Sequence, residues 1–281
     1  MTLTATDLAD REAPRRVGAP ARRRGSARLS RKYVGRAATF VVSIVLGITI
    51  WGLVSLRYPM VLLPSPRETW VSAKDLWQDG TITESIWASS KRIISGWGLG
   101  LIVGIPVGLL MGRFQLLRTL FDPWVEFFRF IPPIAFVTLA VVWLGIGESS
   151  KVVLIFYTSV FIVTLNTLAG VLAVDEAKLR AAASLGAGRL RILGAVVLPS
   201  TVPYIVTGAR LAMGNSFLTI VSAEIVAAQT GLGALIWRSR NYGRTEWVFV
   251  AIIVLGALGY CFDRILRLLA RHLLGRFQVH V

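Results

Sequence analysis

Long apolar runs separated by short polar stretches dominate the chain, and their lengths predict six membrane-crossing helices at 37–56, 93–111, 130–147, 152–174, 205–228 and 247–262. Most approach the ~20 residues a helix needs to cross a ~30 Å hydrocarbon core. The fifth run is interrupted by Arg210 and Glu224, and the sixth can continue as far as residue 269. Between the first two runs, 57–92 carries Trp70, Leu76, Trp77, Ile82, Ile86 and Trp87 among charged residues. That stretch is too polar to cross, and its pattern predicts amphipathic helices resting at the outer interface. No period of 20–50 residues is visible, which excludes solenoid repeats. The expected fold class is therefore all-α, a polytopic transmembrane helical bundle.

Composition supports this pattern. Hydrophobic residues make up 54% of the chain and charged residues 16%, against roughly 25% charged in a soluble domain. The charge balance changes the picture more. Lys and Arg number 31 against 15 Asp and Glu, a net +16 with a pI near 11.2. In a soluble protein that excess would suggest nucleic acid, but here the basic residues crowd a tail and the ends of apolar runs, as in cytoplasmic loops. With the N-terminus inside, the cytoplasmic segments hold twenty basic residues and the outer loops nine. Both termini are thus expected in the cytoplasm of a multi-pass membrane protein, with lipid and not nucleic acid as its surroundings. The tail 1–36 is expected to be disordered. The run that follows it exceeds the 7–15 residues of a signal-peptide core, so it is read as a retained helix. Residues 270–281 are read as a cytoplasmic C-terminus.

Candidate chemistry is sparse. The single cysteine, Cys261, lies in an apolar run, and the two histidines, His272 and His280, lie near the C-terminus. No metal site or catalytic constellation is expected from so few ligands and nucleophiles. A G-x-x-x-x-G-K-[ST] phosphate loop is missing from the sequence.

The most patterned segment is a polar stretch, 175–204, reading DEAKLRAAASLGAGRLRILGAVVLPSTVPY. Asp175 is an expected N-cap, and Glu176 suits the positive end of the helix dipole. Ala181, Ala182 and Ala183 propagate the helix, and Gly186 offers a left-handed stop. A second amphipathic stretch through Leu190, Leu193, Val196 and Val197 leads to Pro199 and Pro203, which are expected to set the entry into the fifth span. A small-faced helix held at a fixed angle has the properties of a rigid docking knob.

This segment resembles the EAA loop of binding-protein-dependent ABC importer permeases. Ala181 and Ala182 take the alanine places, Gly186 the glycine, Val196 the isoleucine, and Leu198–Pro199 the Leu-Pro. Arg180 stands where glutamate is usual. LLPSP (62–66), IPP (131–133), LGIGESSK (144–151) and GARLAMG (208–214) resemble the branch that imports sulfonates, taurine and nitrate. The resemblance covers 63–269. It implies a type I importer fold with two permease copies around a pore, expected here as a homodimer. Two ABC ATPase subunits, which bind the ATP and Mg, would sit below, and an external or periplasmic solute-binding protein above. The permease itself would be no enzyme and hold no cofactor. Arg180, Ala181, Ala182, Gly186, Val196, Leu198 and Pro199 would form the ATPase-coupling loop, and ATP binding would turn the pore outward.

Residues along the pathway are less constrained. Glu224 is read either as a pore-side or gate residue, or as one that pairs with an arginine or lies at the outer interface. Asn166, Thr167, Asn215 and Ser216 either stitch helices together or line the route. Phe130, Ile131, Pro132 and Pro133 are expected to kink the third span beside a cavity. Arg129 and Arg210 are expected to snorkel towards phosphates, with an anion-attracting vestibule as the alternative. Most of Trp51, Trp97, Trp124, Trp143, Trp237 and Trp247 are expected as interface anchors. An ion-driven secondary transporter is the rival reading. It would need buried coupling carboxylates and repeat halves, and only Glu224 lies well within a span.

Overall fold

The computed structural model describes residues 25–274, with side chains over 39–272. Among the described residues every regular element is helical: α1 (Gly25–Ser55), α2 (Pro66–Gln78), α3 (Thr81–Arg113), α4 (Gln115–Arg129), α5 (Val137–Leu144), α6 (Glu148–Leu172), α7 (Glu176–Ser184), α8 (Arg189–Ile192), α9 (Leu198–Ala227), α10 (Leu232–Asn241) and α11 (Thr245–Leu274). The all-α expectation holds.

The chain divides into two compact units at Val54. The first is α1, whose apolar stretch is Thr39–Ser55. Helix extends back to Gly25, so 25–36 of the tail expected to be disordered is helical. Its Ala, Arg, Leu and Lys residues are good helix formers. The tail as far as residue 24, and 275–281 with His280, lie outside the described residues.

The second unit begins at Ser55. A capping box starts α2: the Ser65 backbone N–H donates to Glu68 Oε2 at 2.7 Å, and the Glu68 N–H donates to Ser65 Oγ at 3.3 Å. These bonds hold the Glu68 carboxyl below its ordinary value. Only part of 57–92 forms this short helix; Thr81 onwards opens α3, which runs unbroken to Arg113.

Helices α3, α6 and α9 pack in series as the centre of this unit. Between helices in lipid the apolar drive is weak, so close backbone approach and dispersion decide association. On α3, Gly96, Gly100, Gly104, Gly108 and Gly112 recur every four residues on one face. A Cβ at Gly104 would come 2.9 Å from the Val160 carbonyl oxygen and 3.0 Å from the Val163 Cβ, both on α6. Thr164 Oγ1 donates across this seam to the Gly104 carbonyl at 3.3 Å. The α6–α9 seam carries paired hydroxyls, Ser159–Ser216 at 3.1 Å and Thr158–Thr219 at 2.9 Å. Ile93, Ile155, Met213, Phe217 and Ile220 fill the apolar centre.

Among the described residues four helices are long and apolar enough to cross a membrane: Thr81–Arg113, Glu148–Leu172, Arg189–Ala227 and Thr245–His272. The expected third span, 130–147, is not one helix. It is the second half of a pair, Gln115–Arg129 and Pro133–Leu144, bent by 89°. Phe130 ends α4, and Pro132 in extended conformation leads into a 3₁₀ turn, Pro133–Phe136, since proline cannot continue the ladder. The stretch between the second and third expected spans is helical on both sides of a break at Phe114, with Pro123 accommodated inside α4. The expected fifth span also starts earlier. Helix runs from Arg189 through a π turn, Leu193–Val197, into α9. The widened turn lies immediately before Leu198–Pro199, where the missing proline N–H interrupts regular pairing.

Candidate functional site

Two regions at opposite ends of α6 carry most of the polar structure. At about 1.5 Å per residue its 25 residues span roughly 37 Å.

Beyond the C-terminal end of α6 is a helical hairpin. Asp175 Oδ1 accepts the Ala177 N–H at 2.8 Å, capping α7 as expected. The helix stops in a Schellman arrangement. The Ala187 N–H donates to the Ala182 carbonyl at 3.1 Å and the Gly186 N–H to the Ala183 carbonyl at 2.9 Å. Gly186 has φ 78, a left-handed value that a Cβ would oppose. The hairpin is rooted by Leu179, Ile192, Leu193 and Val196 against Val171, Val174 and Val197. Nothing in α7 itself is buried. Leu185 and Leu190, 88% and 85% exposed, project from its tip. Arg180 is exposed and reaches Glu176 only at 3.9 Å, so its nearest acid is one turn back on the same helix. Val196 thus belongs to the root, while Leu198 and Pro199 begin α9.

At the N-terminal end of α6 an ion cluster ties four helices together. Arg92 of α3 is 3% exposed, and all its N–H groups have acceptors. Its Nε and Nη2 donate to Glu148 at 2.6 and 2.7 Å, and its Nη1 donates to Glu224 Oε1 and the Thr230 carbonyl, both at 2.7 Å. Nη2 also reaches Thr230 Oγ1 at 3.4 Å. Glu224 of α9, fully buried, accepts further bonds from Ser89 Oγ at 2.8 Å and the Gly233 N–H at 2.8 Å. Ser89 Oγ in turn accepts the Leu232 N–H at 2.9 Å. Gly231, at φ 123, lies where a Cβ would run into the Glu224 carboxylate. Lys151, also buried, donates to the Ile146 and Gly147 carbonyls at 3.1 Å. Two cations and two carboxylates balance, and α3, α6, α9 and the start of α10 are pinned.

Of the two readings of Glu224, the structure therefore displays arginine pairing. Arg92, Glu148 and Ser89 are members of the cluster beyond those expected. The usable signal was Glu148 within LGIGESSK and Arg92 at the boundary of an apolar run.

The other expected pathway residues separate. Pro132, Pro133 and Asn215 share a cavity of about 230 Å³ with Arg129, Tyr157 and Thr158, beside the break between α4 and α5. Tyr157 donates to the carbonyls of Phe128 and Ile131, satisfying groups the break frees. Phe130 is exposed, with the Arg129 guanidinium 4.3 Å from its ring centre. Asn166 packs on Gly208 and donates to the Ile162 carbonyl, and Ser216 is buried in the α6–α9 seam. Thr167 is likewise buried, facing Gly108.

Arg210 finds an acid on another helix. It pairs with Asp263 of α11 at 3.0 Å, and Asp263 also accepts from Arg267 at 2.8 Å. Trp97 is not an interface anchor: its Nε1 donates to the Ala209 carbonyl at 2.8 Å, tying α3 to α9. Among the described residues no group of three or more His, Cys, Asp or Glu could hold a metal.

An exposed, capped hairpin thus projects from a unit of long apolar helices. Residues 104–275 match the family described as binding-protein-dependent transport system inner membrane component, and the chain belongs to that family of ABC importer permeases. A probable ABC transporter permease protein of Brucella melitensis biotype 1 is 39% identical over 83% of this chain and 94% of its own length. The taurine transport system permease protein TauC of Escherichia coli K12 is 35% identical over 80% of this chain and 85% of its own. The bicarbonate transport system permease protein CmpB of Synechococcus elongatus is 35% identical over 66% and 68%. In fold, the chain is similar to a solved structure of the MetNI methionine ABC transporter in an inward-facing conformation. That match has TM-score 0.57 and 20% identity, covering 68% of this chain and 96% of that one.

Proposed function

We propose that this permease carries a small organic or inorganic anion, such as an alkanesulfonate, taurine or nitrate, across the cytoplasmic membrane by alternating access. Two copies surround the pore, two ATPase subunits bind ATP and Mg beneath it, and an external binding protein delivers the solute. Similarity to permeases named for taurine and bicarbonate supports an anion as cargo. The observation that carries the ATP-coupling part is the hairpin Glu176–Ile192. Its tip is apolar and exposed, its angle is set by Gly186, and its root is packed on the end of α6. Ala181, Ala182 and Gly186 seat it in a groove of the ATPase, and closure of that motor moves α6 and α9 together through the root. The hairpin and both termini face the cytoplasm, in keeping with the excess of Lys and Arg on that side.

The test is uptake of radiolabelled taurine, nitrate and bicarbonate into vesicles reconstituted with permease, ATPase and binding protein. ATP-dependent, vanadate-sensitive uptake of at least one anion is expected. Uptake driven by a proton gradient without ATP would instead establish an ion-coupled secondary transporter. Glu224, fully buried in α9, already has Arg92 as its counter-charge.

A further inference from the structure

Helix α4 is amphipathic in an unusual setting. Gln115, Arg118, Thr119, Asp122, Glu126 and Arg129 fall within an arc of about 100° at 3.6 residues per turn. The opposite side presents Leu116, Leu120, Trp124 and Phe127, each well exposed as lipid-facing residues are. Val125, at the edge of the polar arc, packs on Met111 of α3 and Leu168 of α6. So the charged arc lies beside the bundle and not out in the hydrocarbon, where such groups would be costly.

The space in front of this arc is open. A furrow of about 780 Å³ runs along it, lined by Arg113, Arg118, Asp122 and Glu126 and reaching Leu172 at the root of the hairpin. The cavity at the break opens beside Arg129, one turn further along the same helix. Glu126 faces the furrow and Arg129 the cavity, and the two are joined by an ion pair at 2.6 Å. The pair is partly exposed, with 37% of the Arg129 side chain and 49% of Glu126 open.

We propose that the charged face of α4 walls a water-filled path from the cavity at the break to the hairpin end of the bundle, with Arg129 as the side chain that takes the transported anion. Arg129 supplies a planar, permanently charged donor set suited to a sulfonate, nitrate or carboxylate oxygen pair. Glu126 competes for the same guanidinium and displaces the anion onward, so that Arg129 does not become a trap. Arg118 and Arg113 then lead towards the cytoplasm. This proposal rests on the importer reading for its cargo, whereas the wetness of the furrow does not depend on it.

Two measurements test it. In a Cys261→Ser background, single cysteines at positions 119, 122 and 126 are exposed to a membrane-impermeant thiol reagent in inside-out vesicles. All three are expected to react, while cysteines at 120, 124 and 127 stay protected. Reaction at 119 alone would mean an interfacial helix end and would overturn the path. In the reconstituted complex, Arg129→Gln is expected to lower anion uptake at least tenfold while ATP hydrolysis stimulated by the binding protein persists, with partial rescue by Arg129→Lys. Glu126→Gln is expected to slow uptake several-fold. Unchanged uptake in Arg129→Gln would overturn the role of Arg129. If the wild-type complex moved no anion with ATP, the importer reading would fail and the labelling pattern would still decide the path.

Discussion

The two ends of α6 solve opposite problems. At the N-terminal end, Arg92, Glu148, Glu224, Ser89 and Lys151 are drawn together from distant parts of the chain, and all but Glu148, which faces outward, are buried with their polar groups bonded inside the protein. At the C-terminal end the hairpin satisfies its backbone with neighbours a few residues away and leaves Leu185, Leu190 and Arg180 facing outward. One end is closed upon itself by long-range ion pairs. The other is held in shape by local caps so that its side chains stay available to a partner. The comparison teaches that rigidity need not come from burial. A Schellman stop and an N-cap fix both ends of α7 although none of its residues is buried, and the apolar root beneath holds the hairpin to α6.

The largest effect is expected from breaking the closed end. Arg92→Met leaves the buried Glu224 carboxylate without its cation and is expected to cost about 3–5 kcal/mol. Thermal unfolding in detergent measures it, and pairing the change with Glu224→Leu should recover much of the loss. If Arg92→Met alone is as stable as wild type, the cluster is not the clamp described here. Gly186→Val comes next, with a strain of roughly 1–2 kcal/mol from a β-branched residue at positive φ. Insertion should be retained while uptake falls relative to ATP hydrolysis, as read in the reconstituted complex. Undiminished uptake would show that the angle of the hairpin is unimportant. Asp175→Ala removes the α7 cap and is expected to cost about 1 kcal/mol. Faster amide exchange confined to 176–181 would register this, and an effect spread to α9 would contradict the local character of the hairpin. Smallest of all, Arg180→Ala should leave stability unchanged within error, because an exposed pair at 3.9 Å contributes almost nothing. A change in co-purification of the ATPase would then report docking alone.

Legibility in the sequence followed the range of the interactions. Asp175 as a cap and Gly186 as a left-handed stop were readable because their partners lie within five residues. The apolar runs were readable as helices for the same reason. The boundaries were less so. The 89° turn at Phe130–Pro132 and the π turn before Pro199 depend on how freed carbonyls find new donors, such as Tyr157 from another helix. The glycine ladder on α3 was present in the sequence at a spacing of four, but its significance needed the opposing Val160 and Val163 of α6. Arg210 shows the opposite failure. A lone arginine in an apolar run suggested a phosphate contact, and its true neighbour, Asp263, lies on α11.

By itself the sequence determined that this chain is helical, that it carries several membrane-length apolar segments, and that a capped small-residue hairpin interrupts them. Each of these depends on backbone propensity, periodicity or contacts between near neighbours. Only the tertiary structure decided that Arg92 meets Glu148 and Glu224, separated by 56 and 132 residues, and that the charged arc of α4 faces a furrow beside the bundle. A charge in an apolar run announces that it needs a partner, but which one it finds is set by how the helices pack.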